Sequence, residues 1–185
     1  NLELTMNIQG GDEHTLFSVL NRTATNMGGR LLQRWINRPI RSHTVLGERL
    51  DAVEQIIADR HYPILTDHLR SIGDIERILA RVALRSARPR DLAKLRDALG
   101  VLPDLSETLS TLDTPRIQAL ATDCQPAPDL ADTLDRAIIE NPPVVIRDGG
   151  VIREGFDKEL DELRAISENA ADFLVQMELA ERETT

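Results

Sequence analysis

Arg77, Arg81, Arg85 and Arg88 recur at spacings of four, four and three. On a helix such spacing puts them roughly on one face. Aligned guanidinium groups can contact the phosphates of a nucleic acid, which makes these four the nucleic-acid contact candidates of the chain. They can equally pair with carboxylates of the same protein or of a neighbouring domain, and the charge distribution favours that use. Residues 1–96 hold 15 Lys and Arg against 11 Asp and Glu, whereas residues 97–185 hold 7 against 20, within a net charge of −9. An acidic half repels a phosphate backbone, whose attraction to cations dominates nucleic-acid affinity. Weak DNA binding is therefore expected.

Other chemistries lack their residues. No Gly is followed by Lys, so the phosphate-cradling pattern G-x-x-x-x-G-K-[ST] is absent and no cofactor-binding residue is assigned. The histidines are His14, His43, His61 and His68. His61 and His68 could share a helix face. With one cysteine and no H-x-x-x-H pair they read as solvated surface residues, and no metal site is expected. Asp161-Glu162 could serve as an acid–base pair only if partly buried. On an amphipathic helix it reads as a solvated face. Cys124 stands alone, which excludes an internal disulfide and suits a reducing cytosol. No catalytic residue emerges. Trp35, in a stripe with Leu31, Leu32 and Ile36, reads as core.

The elements that would position these residues are helices. Only five residues are aromatic, so Leu, Ile, Val and Ala must build the core, which suits elongated helical packing. A short first helix carries Leu16 and Leu20. Thr25 caps a second that ends before Pro39. Ser42 caps a third, with Val45, Leu46, Leu50, Val53, Ile56 and Ile57 on one face, and Pro63 opens a fourth. Gly73-Asp74 then breaks and caps, and Ile75, Ile78, Leu79 and Val82 form an apolar face. After a connection at Ser86–Arg88, Pro89 opens the return arm with Leu92, Leu95 and Leu99. Gly100 and Pro103 are expected to bend or break that arm. Thr114-Pro115 starts a short helix, 124–128 is a loop, and 129–140 is a further helix. Val144–Ile146 and Val151-Ile152, joined by Asp148-Gly149-Gly150, predict a small β-ribbon. From Asp157 to Thr185, Leu160, Leu163, Ala170, Leu174 and Met177 form a heptad-like seam on a long helix of roughly 40 Å. The fold class is thus all-α, with a small β-ribbon near 144–152 and a long carboxy-terminal helix. The expected division is 1–156 and 157–185. The absence of a long apolar stretch argues against a membrane span, and nothing resembles a signal peptide. With Asn at its start and an apparent helix at its end, the chain reads as a piece of a longer protein.

The wording of these segments resembles a family. Gly73-Asp74-Ile75-Glu76-Arg77-Ile78-Leu79-Ala80-Arg81-Val82 with Arg88-Pro89-Arg90-Asp91-Leu92 is similar to the core, or lever, domain of the MutS DNA mismatch-repair proteins. So are Asn1-Leu2-Glu3-Leu4, Thr15–Asn21, Met27–Leu32 with Trp35-Ile36, Arg49–Glu54, Ile146–Ile152 and Gly155-Phe156-Asp157, in family order. Asn26 departs from the Pro expected there. The resemblance implies a helical lever domain spanning 1–156, whose helix 157–185 leads toward a clamp domain. It implies a parent that is a cytoplasmic, DNA-dependent ATPase, with ATP and Mg bound elsewhere. It further implies a parent homodimer, mismatched duplex DNA held through other domains, and a MutL-type partner. The family's mismatch-reading Phe-x-Glu does not occur here. Two alternatives stay open: the lever of a MutS paralogue outside mismatch repair, separable by that missing motif, and a free-standing helical protein-interaction module.

Overall fold

The longest element is the one that sequence rules would have cut. Pro103 removes an N–H from the interior of α6 (Pro89–Ser110), yet the helix runs unbroken for 22 residues. The break would cost more than it relieves. A proline inside a helix costs roughly 3 kcal/mol. Losing the helix would expose Leu105 and Leu109, both buried, each worth about 1.5–3 kcal/mol. The apolar stripe Leu95, Ala98, Leu99, Leu102, Leu105 and Leu109 carries α6 through the body.

The fold is a computed structural model, which describes residues 2–167, 169, 170 and 175. Around α6 stand α1 (Leu16–Leu20), α2 (Asn26–Asn37), α3 (His43–Ala58), α4 (Tyr62–Ser71), α5 (Ile75–Ala83), α7 (Pro115–Asp123) and α8 (Pro128–Ala137). Residues 158–167 are also helical. Helices α4, α5, α7 and α8 pack directly on α6, while α3 reaches it through α7. Two apolar clusters result. The first joins Ala52, Leu65, Ile72, Ala98, Leu105, Leu109, Leu112, Ile117 and Ala121. The second joins Ile78, Ala93, Leu95, Leu99, Leu134, Ala137, Ile138 and Val151. Ile75 and Leu102 pack against both, so the clusters share a seam along α6.

The helix starts follow their caps. The Thr25 hydroxyl accepts from Gly28 N–H at 2.9 Å, so α2 begins at Asn26 although Pro is absent there. Ser42 accepts from Val45 N–H at 3.4 Å, and Asp74 from Arg77 N–H at 3.3 Å. Thr114 stands at the cap position of α7, but its hydroxyl makes no capping bond. Gln55 of α3 instead accepts from the N–H groups of Asp113 and Thr114, each at 3.1 Å. A side chain distant in sequence thus satisfies the N–H of the cap residue and of the residue before it.

The expected β-ribbon does not form. No strand occurs among the described residues, only an isolated antiparallel bridge between Ile138 and Ile152. Ile139 N–H donates to Val151 O at 3.1 Å, and Arg153 N–H to Ala137 O at 2.8 Å. Ile138, which follows α8, is the partner that can be buried against Val151. Pro142 and Pro143, ahead of Val144, offer no donor to a ladder. Val144, Val145 and Ile146 are left exposed, and Ile146–Asp148 coil into a 3₁₀ turn. Gly149 and Gly150 follow with φ of 71° and 64°, a left-handed pair that glycine tolerates. The same pairing stops α8 at Ala137, short of Glu140.

Trp35 is not core. It is 38% exposed, because α2 and α3 lie at the periphery. Leu31, Val45, Leu46, Leu50, Val53 and Ile57 are likewise exposed. The seam residues Leu160, Leu163 and Ala170 fall in helical positions, whereas Leu174 and Met177 lie outside the described residues.

Candidate interaction surfaces

The four arginines do not form one helical face. Helix α5 ends at Ala83, so only Arg77 and Arg81 belong to it. Arg85 adopts φ of 54° beyond the helix end, in a turn closed by Ser86 N–H donating to Arg81 O at 2.8 Å. Arg88 is the N-cap of α6. Arg81 is already committed. Its Nε and Nη2 donate to the Asp91 carboxylate at 2.8 and 2.7 Å, a bidentate pair that ties α5 to α6. Burial pushes the Asp91 carboxyl up, but the bonds from Arg81 and from the Arg88 backbone N–H outweigh it and hold the group below its ordinary value. Arg77 lies 3.6 Å from Asp74. Arg85 and Arg88 have no ion-pair partner among the described residues.

A second bidentate pair escaped the sequence reading. Arg30 of α2 donates through Nη1 and Nη2 to Asp74 at 2.8 and 2.7 Å, and through Nε to Glu76 at 3.1 Å. Asp74 is therefore both the cap of α5 and its anchor to α2. The Arg30 bonds, reinforced by Arg77 N–H, hold its carboxyl down at about 2, and the carboxylates raise the Arg30 guanidinium in turn. The partners sit 44 residues apart, so no local spacing signals the pair.

Beside it, a polar cleft of about 400 Å³ opens at the N-terminus of α2, between Phe17, Thr23, Thr25, Asn26, Arg30 and Arg77. The Arg30 charge at its edge is already met by the Asp74 and Glu76 carboxylates.

Other arginines hold backbone. Arg96 Nη1 donates to the carbonyls of Ile138 and Ile139 at 3.3 and 3.2 Å. Arg90 donates to Pro142 O at 3.2 Å, and Arg164 to Ile152 O at 2.9 Å. These carbonyls have lost a strand partner, and buried backbone acceptors require a donor. Their arginine partners supply it.

Of the four histidines, His14 and His43 are exposed as expected, whereas the other two are not fully solvated. His61 and His68 are half-buried between α4 and α6. Their Nε2 atoms stand 3.3 Å from Thr111 Oγ1 and 3.4 Å from Thr108 Oγ1. Among the described residues no cluster of three His, Cys, Asp or Glu side chains is arranged to hold a metal ion. No described helix is long and apolar enough to cross a membrane. Trp35 carries Arg49 over its ring, with the guanidinium carbon 3.8 Å from the centroid, a cation–π contact.

Guanidinium–carboxylate pairs thus tie the helices together, and further arginines hold backbone carbonyls. The family described as MutS domain III matches residues 1–184, and the chain belongs to that family.

Proposed function

We propose that this chain is the lever segment of a DNA mismatch-repair ATPase, coupling a nucleotide-binding end to a DNA clamp. In this reading it performs no catalysis. ATP and Mg bind to another part of a cytoplasmic, homodimeric parent, which grips mismatched duplex through other domains and signals to a MutL-type partner. Family membership supports the setting. The observation that carries the mechanical part is α6, on which four helices pack and along which both apolar clusters meet. Close-packed interiors shift as units and do not deform smoothly, so a displacement at one end of such a body reappears at the other. The Arg30–Asp74 pair extends the unit to α2.

The test uses the full-length protein carrying Asp74→Ala. The variant should retain mismatch affinity and basal ATP hydrolysis within about threefold. ATP-triggered release from mismatched duplex should slow by about tenfold, within the 5–150-fold range of typical couplings. Unchanged release in this variant and in Arg30→Ala would overturn the reading.

A further inference from the structure

One apolar surface is left open by both apolar clusters. Between the α5–α6 turn and the segment after α8 lies an open groove of about 490 Å³, lined by Ala87, Arg88, Pro89, Val144, Val145, Ile146 and Arg147. Its floor and walls are aliphatic, and Ile146 is 76% exposed. Leu84, in the same turn as Arg85, is 77% exposed. Arg88 and Arg147 flank this apolar strip. Asp148, half exposed, lies 3.9 Å from Arg147, and the Asp91 carboxylate that accepts from the Arg88 backbone N–H is already held by Arg81. Contiguous exposed aliphatic residues with a polar border are characteristic of contact sites.

We propose that this groove docks an acidic peptide segment, presenting two or three aliphatic side chains to Val144, Val145 and Ile146 and carboxylates to Arg88 and Arg147. Charge complementarity selects the occupant. Planar guanidinium groups pair with carboxylates bidentately, and a basic rim steers an acidic partner while rejecting a basic one. A duplex is the poorer fit. Arg88 and Arg147 could meet phosphates, but a phosphate backbone gains nothing from an aliphatic floor. This inference does not depend on the lever reading, since it needs only the groove.

The test uses the 185-residue chain and a fluorescein-labelled synthetic probe, Glu-Glu-Leu-Ala-Glu-Leu-Leu-Glu-Glu. Its anisotropy should rise saturably at 50 mM salt, and affinity should fall at least tenfold by 300 mM. Ile146→Asp and Arg147→Glu alter exposed side chains, and each should weaken binding at least tenfold while leaving the melting temperature unchanged. Amide resonances of Ala87, Arg88, Val145 and Ile146 should shift on titration. A peptide with Lys replacing Glu should not bind. No saturable binding up to millimolar probe would overturn the proposal, as would equal affinity for the Lys peptide. Tighter binding of a 20-base-pair duplex, lost in the same variants, would reassign the groove to nucleic acid. Concentration-dependent dimerisation abolished by Ile146→Asp would reassign it to a second copy of this chain. Either result would refute the peptide assignment while leaving the lever reading standing.

Discussion

Asp74 carries two structural duties on one carboxylate, capping α5 and anchoring Arg30 of α2. Removing it should cost about 1–2 kcal/mol from the cap alone, and Asp74→Ala should show at least that loss in urea melts. The pH dependence follows from its low folded-state value of about 2, against an ordinary 3.8. A carboxyl that is more acidic when folded stabilises the fold above its unfolded pKa, and that contribution disappears as pH falls through the folded value. Stability should therefore decline between about pH 4 and pH 2. Asp74→Asn should lose part of that decline, with Asp91 sustaining the rest because its carboxyl is also held low. Trp35 shows where residue-level reading failed. Its apolar neighbours Leu31 and Ile36 suggested core, but the ring lies on the periphery under Arg49. Trp35→Ala should cost about 1–2 kcal/mol, below the 3–5 kcal/mol of a buried aromatic truncation. Denaturant melts distinguish the two values.

At the scale of elements, most helix starts were legible because Thr25, Ser42, Asp74 and Pro89 each act within one turn of their own position. What was not legible depended on distant partners. Gln55 holds the N–H groups leading into α7 from 58 and 59 residues away, and Arg96 holds the carbonyls that follow α8 across 42. The ribbon failed for the same reason. Val144–Ile146 had the right residue types, but Ile138 was already positioned beside Val151. Periodicity identified the arginine series but could not show that α5 ends before Arg85. The helices also retain local slack. Gly100 in α6 has open space around its Cα and no left-handed φ, as does Gly47 in α3. Gly100→Ala and Gly47→Ala should each stabilise the chain by roughly 0.5–1 kcal/mol, readable as a raised urea midpoint with an unchanged slope.

At the scale of the molecule, charge and packing assign different roles. The excess of acidic residues in 97–185 should limit duplex affinity to dissociation constants no tighter than roughly 10⁻⁵ M at physiological salt, in the non-specific range. Calorimetry with ATP should show no binding, because the chain lacks a phosphate loop. The mechanical proposal rests instead on α6. Two apolar clusters lie along it, bridged by Ile75 and Leu102, and a lever can transmit force only if both open together. Native-state hydrogen exchange as a function of denaturant measures this directly. The expected result is one opening free energy and one denaturant slope for slow amides near Ile72, Leu105 and Ile117 and for those near Ile78, Leu95 and Leu134. If the two sets exchange with separate free energies and slopes, the body is two units sharing a helix, and the lever account is wrong.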